Sequence, residues 1–247
     1  MKHLNSTISV ILAPVILFAM TLSCNIGQTE DKTALFDQYY TIEPMSLMDS
    51  LKNGNMTAFS PVSEEPELLP VDQQLAVDWL QADYFYIANT LYDSVLGETL
   101  QDWQLNSMDF RLGCSKIRNG FQNGRFEFFK VIKDKENESR ISRFIDIDPR
   151  GNFVHVKEWK YYPKLVDWEI IDMAHLKISA DLALQIAENN GGEERRQSIG
   201  DACNISLVLS PSPASDKGWV VIYTRNDDGT SFFRIQIDPI TGKIRSP

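Results

Sequence analysis

Two aspartates stand in matching settings: Ile145-Asp146-Ile147-Asp148-Pro149 and Ile235-Gln236-Ile237-Asp238-Pro239. Each closes an apolar run and is followed shortly by a glycine, Gly151 or Gly242. Paired carboxylates could serve as acid and base in a hydrolysis. Turn chemistry explains both without catalysis, because Asp bonds its own backbone, Pro fixes φ and Gly permits the reversal. The reading is therefore two turns. Beyond the first residues the histidines are His155 and His175, at no recognised ligand spacing. Asp227-Asp228 lacks the regular alternation of a calcium loop. Ser210-Pro211-Ser212-Pro213 reads as a linker, no serine sits in a glycine-flanked elbow, and no phosphate loop occurs. No catalytic residue, metal or cofactor is expected.

Composition narrows the partners. The 247 residues carry 24 Lys and Arg against 34 Asp and Glu, a formal charge of −10. Nucleic acid is bound by clustered cations, which are absent here, so no nucleic-acid partner is expected. A hydrophobic content of 43% is ordinary for a folded chain and leaves room for one or two domains.

Residues 1–24 read as an export signal. Lys2 precedes an apolar run of 13 residues from Ile8 to Met20, interrupted by Pro14 and short of the ~20 needed to span a bilayer. Thr21-Leu22-Ser23-Cys24 resembles the lipobox of bacterial lipoproteins, with the leucine one place late. The resemblance implies cleavage before Cys24 and acylation of its thiol. The chain would then be held on the extracytoplasmic side of a membrane, in the periplasm or at the cell surface. With Cys24 acylated, Cys114 and Cys203 form an even pair in an exported protein. A disulfide and two buried thiols both remain open for them.

From Asn25 to Pro70 no period persists, and Pro44, Pro61, Pro66 and Pro70 punctuate the stretch. Residues 25–70 are expected to be a flexible tether.

The remainder repeats itself. Val77-Asp78-Trp79 recurs as Val166-Asp167-Trp168, Asp83 as Asp172 and Cys114 as Cys203, all at an offset of 89. The Asp-Pro turns recur at 90. Two modules follow, 71–163 and 164–247. In the second, alternation from Trp168 to Ile178 predicts a strand, and Ser179 caps a helix stopped at Asn189-Asn190-Gly191-Gly192. Strands are predicted over Ile205 to Leu209, Trp219 to Thr224 and Phe232 to Ile237, with a short one at Lys243-Ile244. Read alone, Ala76, Leu80, Tyr84, Ile87, Leu91 and Val95 suggest one long helix in the first module. Registered on the second, the same stretch gives a strand over Trp79–Ile87 and a helix from Asn89, which is the reading favoured here.

The second module resembles a PepSY domain. The resemblance is carried by Ile178-Ser179 opening a helix with Ala183-Leu184 and Ile186-Ala187, by the strand Trp219 to Tyr223, and by Ile235 through Ile244. It covers roughly 166–246, with a weaker echo over 77–156. It implies an α+β fold of two tandem PepSY-like modules, each a helix packed on an antiparallel sheet. It also implies an extracytoplasmic module with inhibitory or binding roles, as in propeptides of thermolysin-type proteases and envelope lipoproteins. At the module junction, Trp159, Tyr161 and Tyr162 are candidates for an exposed contact surface. The expected role is non-catalytic: binding or regulating a protein, such as a peptidase, a peptide or a cell-wall partner. The alternatives are an extracytoplasmic hydrolase with carboxylates between the modules, and a structural spacer.

Overall fold

Alternation of apolar and polar side chains builds most of the chain, and the sheet it makes is continuous. The computed structural model describes residues 31–54, 58–70, 74, 77–134, 137–162, 170–210 and 218–245. Cys24, the export segment and Trp168 lie outside the described residues. The strands are β1 (Asp31–Thr41), β2 (Ser60–Val62), β3 (Gln104–Gly113), β4 (Asn123–Asp134) and β5 (Asn137–Asp148). They continue with β6 (Phe153–Tyr162), β7 (Cys203–Ser210), β8 (Gly218–Arg225), β9 (Ser231–Ile237) and β10 (Ile244–Arg245). They form one ten-stranded sheet in the order β10-β9-β8-β7-β3-β4-β5-β6-β1-β2. The fold class is α+β, with few helices on an antiparallel sheet.

The helices are α1 (Pro44–Lys52), α2 (Gln81–Leu91), α3 (Ala180–Ala187) and α4 (Glu193–Gln197). A helix followed by four consecutively neighbouring strands occurs twice, α2 with β3 to β6 and α3 with β7 to β10. The two sets meet where β3 pairs with β7, in register from Met108 opposite Leu209 to Gly113 opposite Asn204. Buried side chains on one face run unbroken across that seam: Phe126, Met108, Leu209, Trp219 and Ile237. On this face Tyr84 of α2 lies against Gly124, where a β-carbon would meet the ring at 2.5 Å. The helix start points of the two sets also touch. Ala180 N–H donates to Gln81 Oε1 at 2.6 Å, inside the core.

Three expectations are corrected. The stretch read as a tether supplies β1, α1 and β2, and buries Tyr40, Ile42, Leu47, Leu51 and Phe59. Its prolines stand where proline is tolerated: Pro44 in the first turn of α1, and Pro61 in the edge strand β2. Second, within the stretch Trp79–Ile87 the residues from Gln81 on are helical rather than a strand. Tyr84, Ile87, Ala88 and Leu91 are buried on one side of α2, so local periodicity outweighs the registered repeat. Asp83 closes the first turn, accepting the Leu80 N–H at 2.9 Å. Third, Ile170 to Ile178 form turns rather than a strand.

The Val-Asp-Trp match explains the second error. Trp79 stands two residues before α2, whereas Trp168 precedes α3 by twelve. The offset between helix starts is 99, against 90 between the Asp-Pro turns. The expected helix of the second set is found, with Ser179 accepting from Leu182 N–H at 3.3 Å.

Candidate functional site

An apolar cavity of ≈ 320 Å³ opens where β7 ends and β8 begins. β7 delivers Leu209 and Ser210, β8 begins at Gly218, the turn after β9 supplies Asp238, Pro239 and Ile240, and β10 supplies Arg245. The connection leading into α3 completes the lining with Ile170, Ile171, Asp172, His175 and Leu176. Its parts are locked by backbone bonds. Ile171 N–H reaches Leu105 O of β3 at 2.9 Å, and Lys177 and Ile178 N–H both reach Pro239 O. Gly218 has no room for a side chain, since a β-carbon would stand 2.6 Å from Ile237 O.

Two carboxylates edge this cavity, and each is occupied by its own turn. Asp238 Oδ1 accepts the N–H groups of Ile240 (3.0 Å) and Thr241 (2.8 Å), and Oδ2 accepts from Arg245 Nη2. The Arg245 guanidinium, then the Thr241 N–H, hold the Asp238 carboxyl far below the usual carboxylate range. Asp172 Oδ1 accepts Ala174 N–H at 2.9 Å, and Oδ2 meets His175 Nδ1 at 2.6 Å. That bond to His175 likewise lowers the Asp172 carboxyl. Neither carboxylate is raised toward neutral pH, as a general acid in an apolar pocket would be.

Comparison with protein-family models, curated proteins and solved structures finds no match. Among the described residues no helix is long and apolar enough to cross a membrane, and no group of three or more His, Cys, Asp or Glu converges as a metal site.

The residues singled out from sequence are not gathered in one place. Cys114 and Cys203 are joined by a disulfide, with Cα atoms 5.3 Å apart. Equivalent positions in a repeat do not explain this pairing. Cys114 follows the end of β3 and Cys203 begins β7, and antiparallel pairing sets the end of one strand opposite the start of the other. Asp148 and Asp238 both close turns, Asp148 Oδ1 accepting Arg150 N–H at 2.9 Å. Trp159 and Tyr161 lie on β6, which β5, β4 and β3 separate from β7 and the cavity. Trp159 is half-buried, with the Lys32 ammonium 4.7 Å from its ring centre. Tyr162 ends the same strand, and its side chain lies outside the described residues.

A second polar cluster crosses the face turned away from α2. Asp109, Arg125, Asp146 and His155 are directly opposite one another on β3, β4, β5 and β6. Arg125 forks onto Asp146, and His155 Nε2 meets Asp37 Oδ1 of β1 at 2.6 Å under the stacked ring of Tyr39. Burial, then Glu65, pushes the Tyr39 hydroxyl up to about 12. The hydrogen bond from β6 to Asp37 and the stacked Tyr39 ring fasten β1 to the sheet.

Sequence reasoning missed the cavity because its walls come from five separated segments. One signal was available. The second Asp-Pro turn is followed by an exposed isoleucine, Ile240 (49% exposed), and an arginine, Arg245, that turn chemistry does not need.

Proposed function

We propose that this protein is a non-catalytic, lipid-anchored envelope protein that binds an extracytoplasmic partner, protein, peptide or cell-wall component, at the cavity beside Asp238 and Arg245. The observation that carries the reading is the occupancy of the two rim carboxylates. Each accepts hydrogen bonds from its own turn and from a neighbouring side chain, Arg245 or His175, while the walls between them are apolar. Such a site has surface to hold a ligand and no group poised to transfer a proton. On this reading the two helix-plus-four-strand sets are tandem PepSY-like modules fused through β3 and β7. The cavity then belongs to the second, and Trp159, Tyr161 and Tyr162 offer a separate contact surface on the first. The anchor at Cys24 places the site outside the cytoplasm.

One arrangement favours the hydrolase reading enough to be tested. Asp172, His175 and Ser210 all line the cavity, and Asp172 holds His175 through Nδ1, as the acid of a serine triad holds its base. Against it, among the described residues no hydrogen bond joins His175 Nε2 to Ser210 Oγ, and the His175 side chain is 77% exposed. A fluorophosphonate probe reacts with activated serines; incubation with the full chain is expected to leave Ser210 unmodified in the peptide mass spectrum. Stoichiometric labelling of Ser210, lost in H175A, would establish the hydrolase instead. For the anchor, Cys24→Ser is expected to shift the chain from the membrane fraction to the soluble fraction. A variant that stays with the membrane would remove acylation from the account.

A further inference from the structure

The hydrogen-bonding capacity left over at the cavity mouth specifies a ligand class, an argument that rests on the cavity being the binding site. The carboxylates there already have partners. Asp172 serves Ala174 N–H and His175, and Asp238 serves two backbone N–H groups and Arg245. Donors are left over at the same mouth. Arg245 carries five N–H bonds and directs only Nη2 at Asp238, leaving Nε and Nη1 unused among the described residues. Its planar fork matches a carboxylate better than any neutral acceptor.

The walls set the rest of the ligand. Leu176, Leu209, Pro239 and the half-exposed Ile170 and Ile240 offer dispersion contacts and no polar demand. A volume of ≈ 320 Å³ holds about ten groups at roughly 30 Å³ each. We infer that the cavity takes a single apolar chain or side chain ending in a carboxylate, with Arg245 gripping the head group and Ile170 and Ile240 closing over the body. Two sources share that chemistry: a medium-chain fatty acid, and the C-terminal residue of a peptide with an apolar side chain.

Calorimetric titration of the full-length chain with octanoate, octan-1-ol and octylamine tests the head group in the wild type alone. Octanoate is expected to bind at least about tenfold tighter than the alcohol or the amine, the scale of one charge-assisted hydrogen bond. Arg245→Gln should remove that preference by weakening octanoate about tenfold and leaving octanol unchanged. Arg245→Lys should keep most of it. Ile240→Ser, at an exposed position, should weaken octanoate and octanol by the same factor. Binding of Gly-Gly-Leu as the free acid but not as the amide assigns the source to a peptide C-terminus. Binding of octanoate without the tripeptide assigns it to a fatty acid. Equal affinity for all three head groups, octanoate binding indifferent to Arg245→Gln, or no binding of octanoate would each overturn the ligand class. If head groups are not distinguished while a partner is still held at the cavity, the binding reading stands and this inference alone falls.

Discussion

Replacing Cys114 and Cys203 together by alanine is expected to lower unfolding free energy by about 4–5 kcal/mol, the chain-entropy value for so long a loop. The bridge spans a sequence separation of 89 and closes one end of the β3–β7 seam, where the two helix-plus-strand sets become one sheet. Both cysteines are 1% exposed, so the alanines also forgo sulfur packing in the core. The cavity lies at the opposite end of β7, by Leu209 and Ser210. The doubly substituted protein should therefore still fold at low temperature, with a single transition at lower denaturant. An unchanged midpoint in denaturant titration would mean that the bridge constrains nothing in the unfolded chain. Two separated transitions would mean that the seam depends on the bridge rather than on strand pairing and the shared core.

The second large effect is at Trp219. Its ring is fully buried between Leu209 of β7 and Ile237 of β9, and tilts toward Phe110 across the seam at 6.3 Å. Its Nε1–H donates to Ile178 O at 2.7 Å, just ahead of the Ser179 cap of α3. Trp219→Ala removes the largest fully buried side chain among the described residues and is expected to cost about 3–5 kcal/mol. It also orphans the Ile178 carbonyl, in the segment whose N–H groups hold Pro239 O. Stability and the cavity are thus coupled at this residue. Trp219→Phe keeps most of the volume and loses the hydrogen bond, so a loss of about 1–3 kcal/mol is expected in the same titration. If phenylalanine is as damaging as alanine, the hydrogen bond rather than the ring sets the local geometry.

These residues also show what the sequence could reveal. The strands around Trp219 and Ile235 were legible because their alternation is regular and their turns carry Asn-Asp-Asp-Gly and Asp-Pro-Ile-Thr-Gly. The cap at Ser179 was legible for the same local reason. What failed was long-range. β1 and α1 lack a strong period because only part of each is buried, and their order comes from packing on β6 and α2 rather than from propensity. The matched motifs were visible, yet registering one stretch on the other misplaced the first helix. Matched tryptophans at an offset of 89 outweighed the helical spacing of Tyr84, Ile87 and Leu91, which alone placed α2 well. The site was least legible. Asp238 was readable as a turn residue, but its neighbours Arg245, His175 and Leu209 converge only once the sheet has formed.

The cavity is proposed to hold a molecule and not to transform one. Native mass spectrometry of the full-length chain, purified without denaturation from the cells that produce it, addresses this while the ligand's identity is still open. The wild type is expected to carry a discrete, unmodified adduct that Ile240→Ser and Arg245→Gln both lose while their folded charge-state distributions stay the same. Identical spectra for all three proteins, or an adduct covalently attached to a cavity residue, would contradict it.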